Sequence, residues 1–379
     1  MNVSQVEIQG DMIDLGLGQP GLSLLPIDQL REAAGQRIVK KNALWLQYGA
    51  ELGAGDFREV LSEFLTQAYG YPVASDQLMI TNGISHGLSF LCSRMTHPRD
   101  VVFVEEPSYL FALQLFADFG LNIVGIPTDR EGIIVDELEA ALKIQKPAFL
   151  YIIPTYHNPS GISTCRSRRI KLAELSEIFN FWIVADDAYH LLNFDTPPPP
   201  MPVFDPGGRI FSLGSFSKIL APGLRLGWIH ADASVLNGFI DTGILQSGGG
   251  FNPFTSAIVH HIIETGQLGR HIENLKQHYA RRAATLSSSL RRDLPEIGTF
   301  TDPGGGFFIW LRLPDRWKSG ELRKMALSHN VNFQPGFRFS SRGGLNNYIR
   351  LCFAFYRRKE LEEGVQRLAE SADDYVKQC

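Results

Sequence analysis

The stretch Ile210-Phe211-Ser212-Leu213-Gly214-Ser215-Phe216-Ser217-Lys218, continuing to Pro222-Gly223-Leu224-Arg225-Leu226-Gly227-Trp228, decides how this chain is read. It opens as an apolar run of strand length and ends in small hydroxyl residues followed at once by a lysine. The carboxyl end of such a strand presents side chains to a cleft. Ser215 and Ser217 can donate hydroxyl protons to phosphate oxygens, and Arg225 can grip a phosphate with its two-pronged guanidinium. Lys218 is the amine held among them. Desolvation beside another cation lowers a lysine's pKa and makes it a nucleophile towards a carbonyl. A surface loop with an ordinary lysine and an ion-paired arginine is the plainer alternative, and this stretch alone leaves it open.

Two more strand ends lie upstream. Val184-Ala185-Asp186-Asp187-Ala188-Tyr189 puts a carboxylate where an apolar run stops. An anion there keeps a pyridine nitrogen protonated and the ring an electron sink. Tyr189 can donate to a phenolic oxygen of the same ring. A carboxylate that merely caps the next helix would look the same. Pro154-Thr155-Tyr156-His157-Asn158-Pro159-Ser160-Gly161 fixes Asn158 between a strand end and a proline, where its amide can hold an aromatic oxygen. A bare Asn-Pro turn competes with that reading, and His157 reads as a structural neighbour.

Short apolar runs at 77–80, 101–104, 123–126, 149–153, 182–185, 210–213 and 226–229 predict strands. Amphipathic stretches at 109–119, 135–142 and 168–179 predict helices between them. The alternation implies an α/β fold with a mostly parallel central sheet covered on both faces. A long polar helix pattern over 268–290 precedes short strands at 306–311 and 348–353 and helices at 320–328 and 358–371. The expected organisation is a large domain over 27–275 and a smaller α+β domain built from 1–26 and 276–379. The run Pro197-Pro198-Pro199-Pro200, with Pro202, reads as a stiffened loop.

In this order and spacing the segments resemble the class I/II aminotransferases, fold-type I enzymes that use pyridoxal 5′-phosphate (PLP). Gln47-Tyr48-Gly49 is similar to the family segment whose tyrosine reaches the cofactor phosphate of the neighbouring subunit. Thr81-Asn82-Gly83-Ile84-Ser85 is similar to the turn and helix N-terminus that cradle that phosphate. Glu106-Pro107-Ser108-Tyr109 resembles the stretch whose aromatic residue stacks on the pyridine ring. Leu15-Gly16-Leu17-Gly18-Gln19-Pro20, Pro303-Gly304-Gly305-Gly306-Phe307-Phe308, Gln334-Pro335-Gly336 and Tyr348-Ile349-Arg350-Leu351 also match.

The resemblance implies Lys218 as the Schiff-base lysine and catalytic base, Asp186 at the ring nitrogen, and Asn158 with Tyr189 at the ring hydroxyl. It implies Tyr109 against the ring, with Gly83, Ile84, Ser85, Ser215, Ser217, Arg225 and a second subunit's Tyr48 around the phosphate. Arg350, with Gly18 and Asn158, is implied at the substrate carboxylate. The chain departs from the family pattern after Gly83, where Ile84 offers only its backbone N–H. Ser247-Gly248-Gly249-Gly250-Phe251-Asn252-Pro253 is unusually glycine-rich. It reads as a substrate-side loop reaching across a dimer interface or as a flexible connector. The implied activity is transamination between an amino acid and a 2-oxo acid, in a homodimer with shared sites. A lyase or synthase using the same carbanion for elimination, substitution or carbon–carbon bond formation is the alternative.

Composition narrows the setting. A hydrophobic fraction of 44% and a charged fraction of 20% are those of an ordinary globular protein. The net charge of −4 gives no electrostatic case for nucleic acid or an anionic membrane. No apolar run reaches the roughly 18 residues that cross a bilayer. Met1-Asn2-Val3-Ser4-Gln5-Val6-Glu7 lacks the marks of a signal peptide. Cys92, Cys165, Cys352 and Cys379 have neither metal-ligand spacing nor disulfide-framework density, so no metal and a reducing, cytoplasmic setting are expected. Related domains also occur behind DNA-binding winged helices in transcriptional regulators. Here the match begins at Leu15, which is expected to leave no room for such a module.

Overall fold

The computed structural model describes residues 10–39, 43–205, 207–295 and 297–378. The first nine residues, including the leader reading and the outer part of the expected 1–26 segment, lie outside the described residues, as does Cys379.

After a two-residue strand β1 (Ile13–Asp14), eight strands build the main sheet: β2 (Leu78–Thr81), β3 (Val101–Glu106), β4 (Asn122–Asp129), β5 (Gly132–Ile133), β6 (Phe149–Ile152), β7 (Trp182–Asp186), β8 (Ile210–Ser215) and β9 (Gly227–His230). Their spatial order is β2-β9-β8-β7-β6-β3-β4-β5. The central run β8-β7-β6-β3-β4 is parallel. β9 lies antiparallel between β2 and β8, and β5 antiparallel on the far edge.

Alternation along the strands assigns the faces. Phe103, Leu150, Ile152, Ile183, Ala185 and Ile210 join a core with helices Val135–Ile144 and Arg166–Phe179. Val102, Val104, Phe149, Tyr151, Val184, Phe211 and Leu213 join the larger core with helices Ile84–Met95 and Leu110–Asp118. Every residue of β2, β6, β8 and β9 is buried, as in a sheet covered on both faces.

A 27-residue helix, Gln267–Asp293, leads to the smaller α+β part. There β13 (Tyr348–Cys352) lies antiparallel between β10 (Phe308–Arg312) and β12 (Gln334–Pro335). β11 (Val331–Asn332) pairs in parallel with β1, so the N-terminal segment joins this part of the molecule. Helices Ser319–Ser328 and Arg358–Gln378 pack beside these strands. The two parts are also tied at the end of β3. Glu106 accepts hydrogen bonds from the Ser340 hydroxyl, the Ser341 N–H (2.8 Å) and the Ser341 hydroxyl (2.6 Å). The proline-rich loop is anchored where the buried Arg169 donates to the Pro199 carbonyl at 3.0 Å.

Candidate active site

Three parallel neighbours, β6, β7 and β8, end side by side and deliver Asn158, Asp186 and Lys218 to one rim of the sheet. At the end of β8 the Ser215 hydroxyl accepts the Ser217 N–H at 3.0 Å and caps the single turn Phe216–Ile219. That turn carries Lys218, whose Nζ donates to the Gly18 carbonyl at 2.9 Å. Removal from water pulls the amine down to about 8, and the Arg350 and Arg225 cations push the same way against Asp186. Ser215 therefore serves first as a cap and lends its hydroxyl to the Leu226 carbonyl at 3.4 Å.

An anion pocket forms beside it. Gly83, at φ +85, caps helix Ile84–Met95 in a conformation that glycine adopts without strain. The first-turn N–H groups of that helix, from Ile84 and Ser85 onward, have no acceptor within the helix and form its positive pole. Arg225 donates to the Asn82 carbonyl at 3.2 Å and to the Ser217 hydroxyl at 3.4 Å. A Cβ on Gly83 would lie 3.0 Å from Arg225 Nη2, so guanidinium and helix pole are immediate neighbours.

Asp186 is buried and its carboxylate is fixed at both oxygens. Oδ2 accepts the Tyr151 hydroxyl at 2.8 Å and Oδ1 accepts the Ala188 N–H at 3.2 Å. Burial still pushes the acid up to about 6. Asp187 points the other way and accepts the Ser212 hydroxyl at 2.6 Å. His157 Nε2 sits 3.2 Å from Glu105 Oε2, an ion-pair distance without a hydrogen bond, and both side chains are buried. Tyr189 is buried with its ring edge-on to Phe307 and Phe308. Tyr109 precedes helix Leu110–Asp118; burial first, then the Asp186 charge, push its phenol up to about 12.

Arg350 projects from β13 into the same space. Nη1 donates to Asn158 Oδ1 at 2.8 Å and Nη2 to the Gly16 carbonyl at 2.7 Å. Its guanidinium carbon lies 4.1 Å from the Phe308 ring centre and 5.0 Å from that of Phe339. Among the described residues no carboxylate comes within ion-pair distance of it, the Asp14 charge acting only from further off, and its Nε has no hydrogen-bond partner. Gly18 lies between the two cations, since a Cβ there would meet Phe308 at 3.1 Å and Arg350 Nη2 at 3.6 Å.

Tyr48 is the expected site residue that the chain's own fold does not bring in, being 83% exposed. The glycine-rich run is neither a free connector nor an open loop. Gly49 bridges both Gly249 and Gly250, Phe251 packs on His86, and Asn252 Nδ2 donates to the Leu224 carbonyl at 3.2 Å and also to that of Arg225. It braces the Tyr48 segment against the anion pocket. Sequence reading passed over Tyr151, Gly16 and Phe339. Tyr151 lies inside an apolar run and Gly16 acts through its carbonyl, so neither leaves a side-chain signal. Phe339 follows the Gln334-Pro335-Gly336 motif closely enough to have been suspected.

Three features test the fit to PLP. Asp186 is a buried anion whose hydrogen bonds are all to neutral donors, as suits a cationic ring nitrogen. The helix pole with Arg225 suits a phosphate. The amine with lowered proton affinity suits carbonyl attachment. The residues fit.

Residues 10–368 match the family Aminotransferase class I and II. The chain is 32% identical to aromatic-amino-acid aminotransferase 1 of Thermococcus litoralis, over 97% of this chain and 89% of that protein. It is 31% identical to the 2-aminoadipate transaminase of Thermus thermophilus, over 93% and 88%. The solved kynurenine aminotransferase of Pyrococcus horikoshii, in complex with PMP, superposes with a TM-score of 0.91 at 32% identity, covering 97% and 92% of the two chains. The chain therefore belongs to the class I and II aminotransferases, and is a PLP-dependent enzyme that moves an amino group between an amino acid and a 2-oxo acid.

Proposed function

We propose that Lys218 is the covalent anchor of PLP and the base of the reaction, with Arg350 the receptor for the α-carboxylate of donor and acceptor. The observation that carries this reading is Arg350 itself. A buried guanidinium with no carboxylate at ion-pair distance among the described residues is costly, and an anionic substrate relieves it. Asn158 and the Gly16 carbonyl orient the fork, and the Phe308 and Phe339 rings hold its plane and exclude water. Asp186 faces the ring nitrogen, and Asn158 with Tyr189 the ring hydroxyl. Tyr109 covers the ring. Ser217, Ser215, Arg225 and the N–H groups of Ile84 and Ser85, opened by Gly83, take the phosphate. Bound there, PLP supplies an electron sink at the amino acid's α-carbon. Lys218 Nζ, with its proton affinity lowered to about 8, takes and returns the α-proton near neutral pH.

The working unit is a homodimer in the cytoplasm. Tyr48 stands exposed amid exposed Leu44 and Leu46, with Ile38, Val39 and Phe254 also open to solvent. Such a patch fits a subunit interface that delivers Tyr48 to the other protomer's phosphate. The large part spans 27–275 and the smaller one 1–26 with 276–379, so their border falls inside helix Gln267–Asp293. The relatives' names make aromatic amino acids, kynurenine and 2-aminoadipate the first donors to try.

Arg350→Ala is expected to raise KM for amino acid and oxo acid alike by tenfold to a hundredfold, since a charge-assisted hydrogen bond contributes roughly 1.5–3 kcal/mol. Steady-state kinetics check it, and an unchanged KM for both substrates would remove Arg350 from the carboxylate site. Borohydride should fix the cofactor to the Lys218 peptide in the wild type and to nothing in Lys218→Ala.

A further inference from the structure

We propose that Tyr151, a residue in the interior of the sheet, is a positioning residue that holds Asp186 ionised and aimed at the cofactor ring. The inference deepens the assignment of Asp186 to the ring nitrogen and rests on it.

The sheet's register creates the contact. Tyr151 on β6 lies opposite Val184 on β7, so Asp186, two residues on, is its diagonal neighbour on the same face. Its hydroxyl donates to Asp186 Oδ2 at 2.8 Å. The ring is fully buried and edge-on to Phe116, 5.5 Å between centres, so the phenol has no room to turn away. Burial holds the Tyr151 phenol well above its usual pKa, which leaves it a donor at every working pH.

Asp186 needs that donor. Its surroundings offer the Ala188 N–H and the charges of Lys218 and His157, with Asp187 and the phenols Tyr109 and Tyr189 also nearby. The net effect still favours the neutral acid, with Asp186 pushed up to about 6. The Tyr151 hydrogen bond goes to the charged form and opposes that rise. Tyr151→Phe removes one oxygen, keeps the ring, and leaves Asp186 Oδ2 without its donor while Oδ1 keeps the Ala188 N–H. Asp186 should then hold its proton at higher pH, by roughly one to two units if the bond is of ordinary charge-assisted strength. The bound cofactor would lose part of its counter-ion.

The experiment compares Tyr151→Phe, Asp186→Asn and the double variant with wild type. Three readouts apply: PLP dissociation constant by fluorescence titration, the pH midpoint of the bound-cofactor absorbance, and the melting temperature of cofactor-free protein at pH 5 and pH 8. Tyr151→Phe is expected to weaken PLP binding severalfold and to displace the absorbance midpoint in the direction that Asp186→Asn does, by less. Without cofactor it should lower the melting temperature more at pH 8 than at pH 5. In the Asp186→Asn background these effects should shrink or vanish. Tyr151→Phe behaving as wild type while Asp186→Asn does not would overturn the role of Tyr151. Effects of Tyr151→Phe that persist undiminished in the Asp186→Asn background would overturn it too. A silent Asp186→Asn would overturn the ring-nitrogen assignment first.

Discussion

At the scale of single residues, the site is built from groups that the folded chain would be more stable without. Asp186 holds its proton up to about pH 6 when folded, against an ordinary value of 3.8 for a free side chain. The folded state therefore binds the proton more tightly than the unfolded one. The penalty is absent below about pH 4, grows as pH rises through 6, and is complete above it. Asp186→Asn should accordingly stabilise the cofactor-free protein at pH 8, on the order of 1–3 kcal/mol, with the gain fading at pH 4. The same variant should bind PLP less tightly. Thermal melts across that range check it, and a pH-independent gain would point to packing instead of charge. Lys218, Asp186, Asn158 and Arg350 were legible because each stands at a strand end or in a motif. Tyr151 was not, since a tyrosine within Phe149-Leu150-Tyr151-Ile152 looks like any core aromatic until the register places its hydroxyl.

Among the elements, the strands and helices predicted from apolar periodicity all form, most with ends displaced by a few residues, while the last helix runs on from the expected 371 to Gln378. Two things escaped that reading. Hydrophobic runs carry no direction, so the antiparallel insertion of β9 between β2 and β8 could not be read from 226–229. The glycine run 247–252 supported two readings because glycine permits both close packing and freedom. Close packing is what it does: a Cβ on Gly250 would lie 1.9 Å from the Ala50 carbonyl oxygen. Gly250→Ala should push the Tyr48 segment off its brace, lowering stability by about 1–3 kcal/mol and weakening PLP binding. Gly248→Ala, whose Cβ would meet nothing within 4 Å, is the matched control. Equal melting temperatures and PLP affinities for the two variants would refute the brace.

Across the whole molecule, the order of motifs along the chain disclosed the architecture, while the proposed homodimer rests on Tyr48, which stands 83% exposed, and the apolar side chains exposed around it. Mixing Lys218→Ala with Tyr48→Phe protein tests shared sites directly. Each hybrid dimer would hold one site with an intact lysine and an intact tyrosine from opposite subunits, so activity should exceed that of either parent. No recovery after confirmed subunit exchange would confine Tyr48 to a surface role.

Helix Gln267–Asp293 joins the two sheets' territories without a break and without a proline. At about 40 Å it is a beam, and a beam without a kink residue does not fold at its middle. A displacement of the two parts would then be sliding or tilting about the helix, with the yielding taken elsewhere. The ties across the mouth include the side-chain bonds from Glu106 to Ser340 and Ser341, from Arg350 to Asn158 and from Lys218 to the Gly18 carbonyl, with the backbone bonds Ser108 to Phe339 and Phe194 to Gly304 beside them. Mechanically the protein is a rigid spine with a row of catches at its mouth.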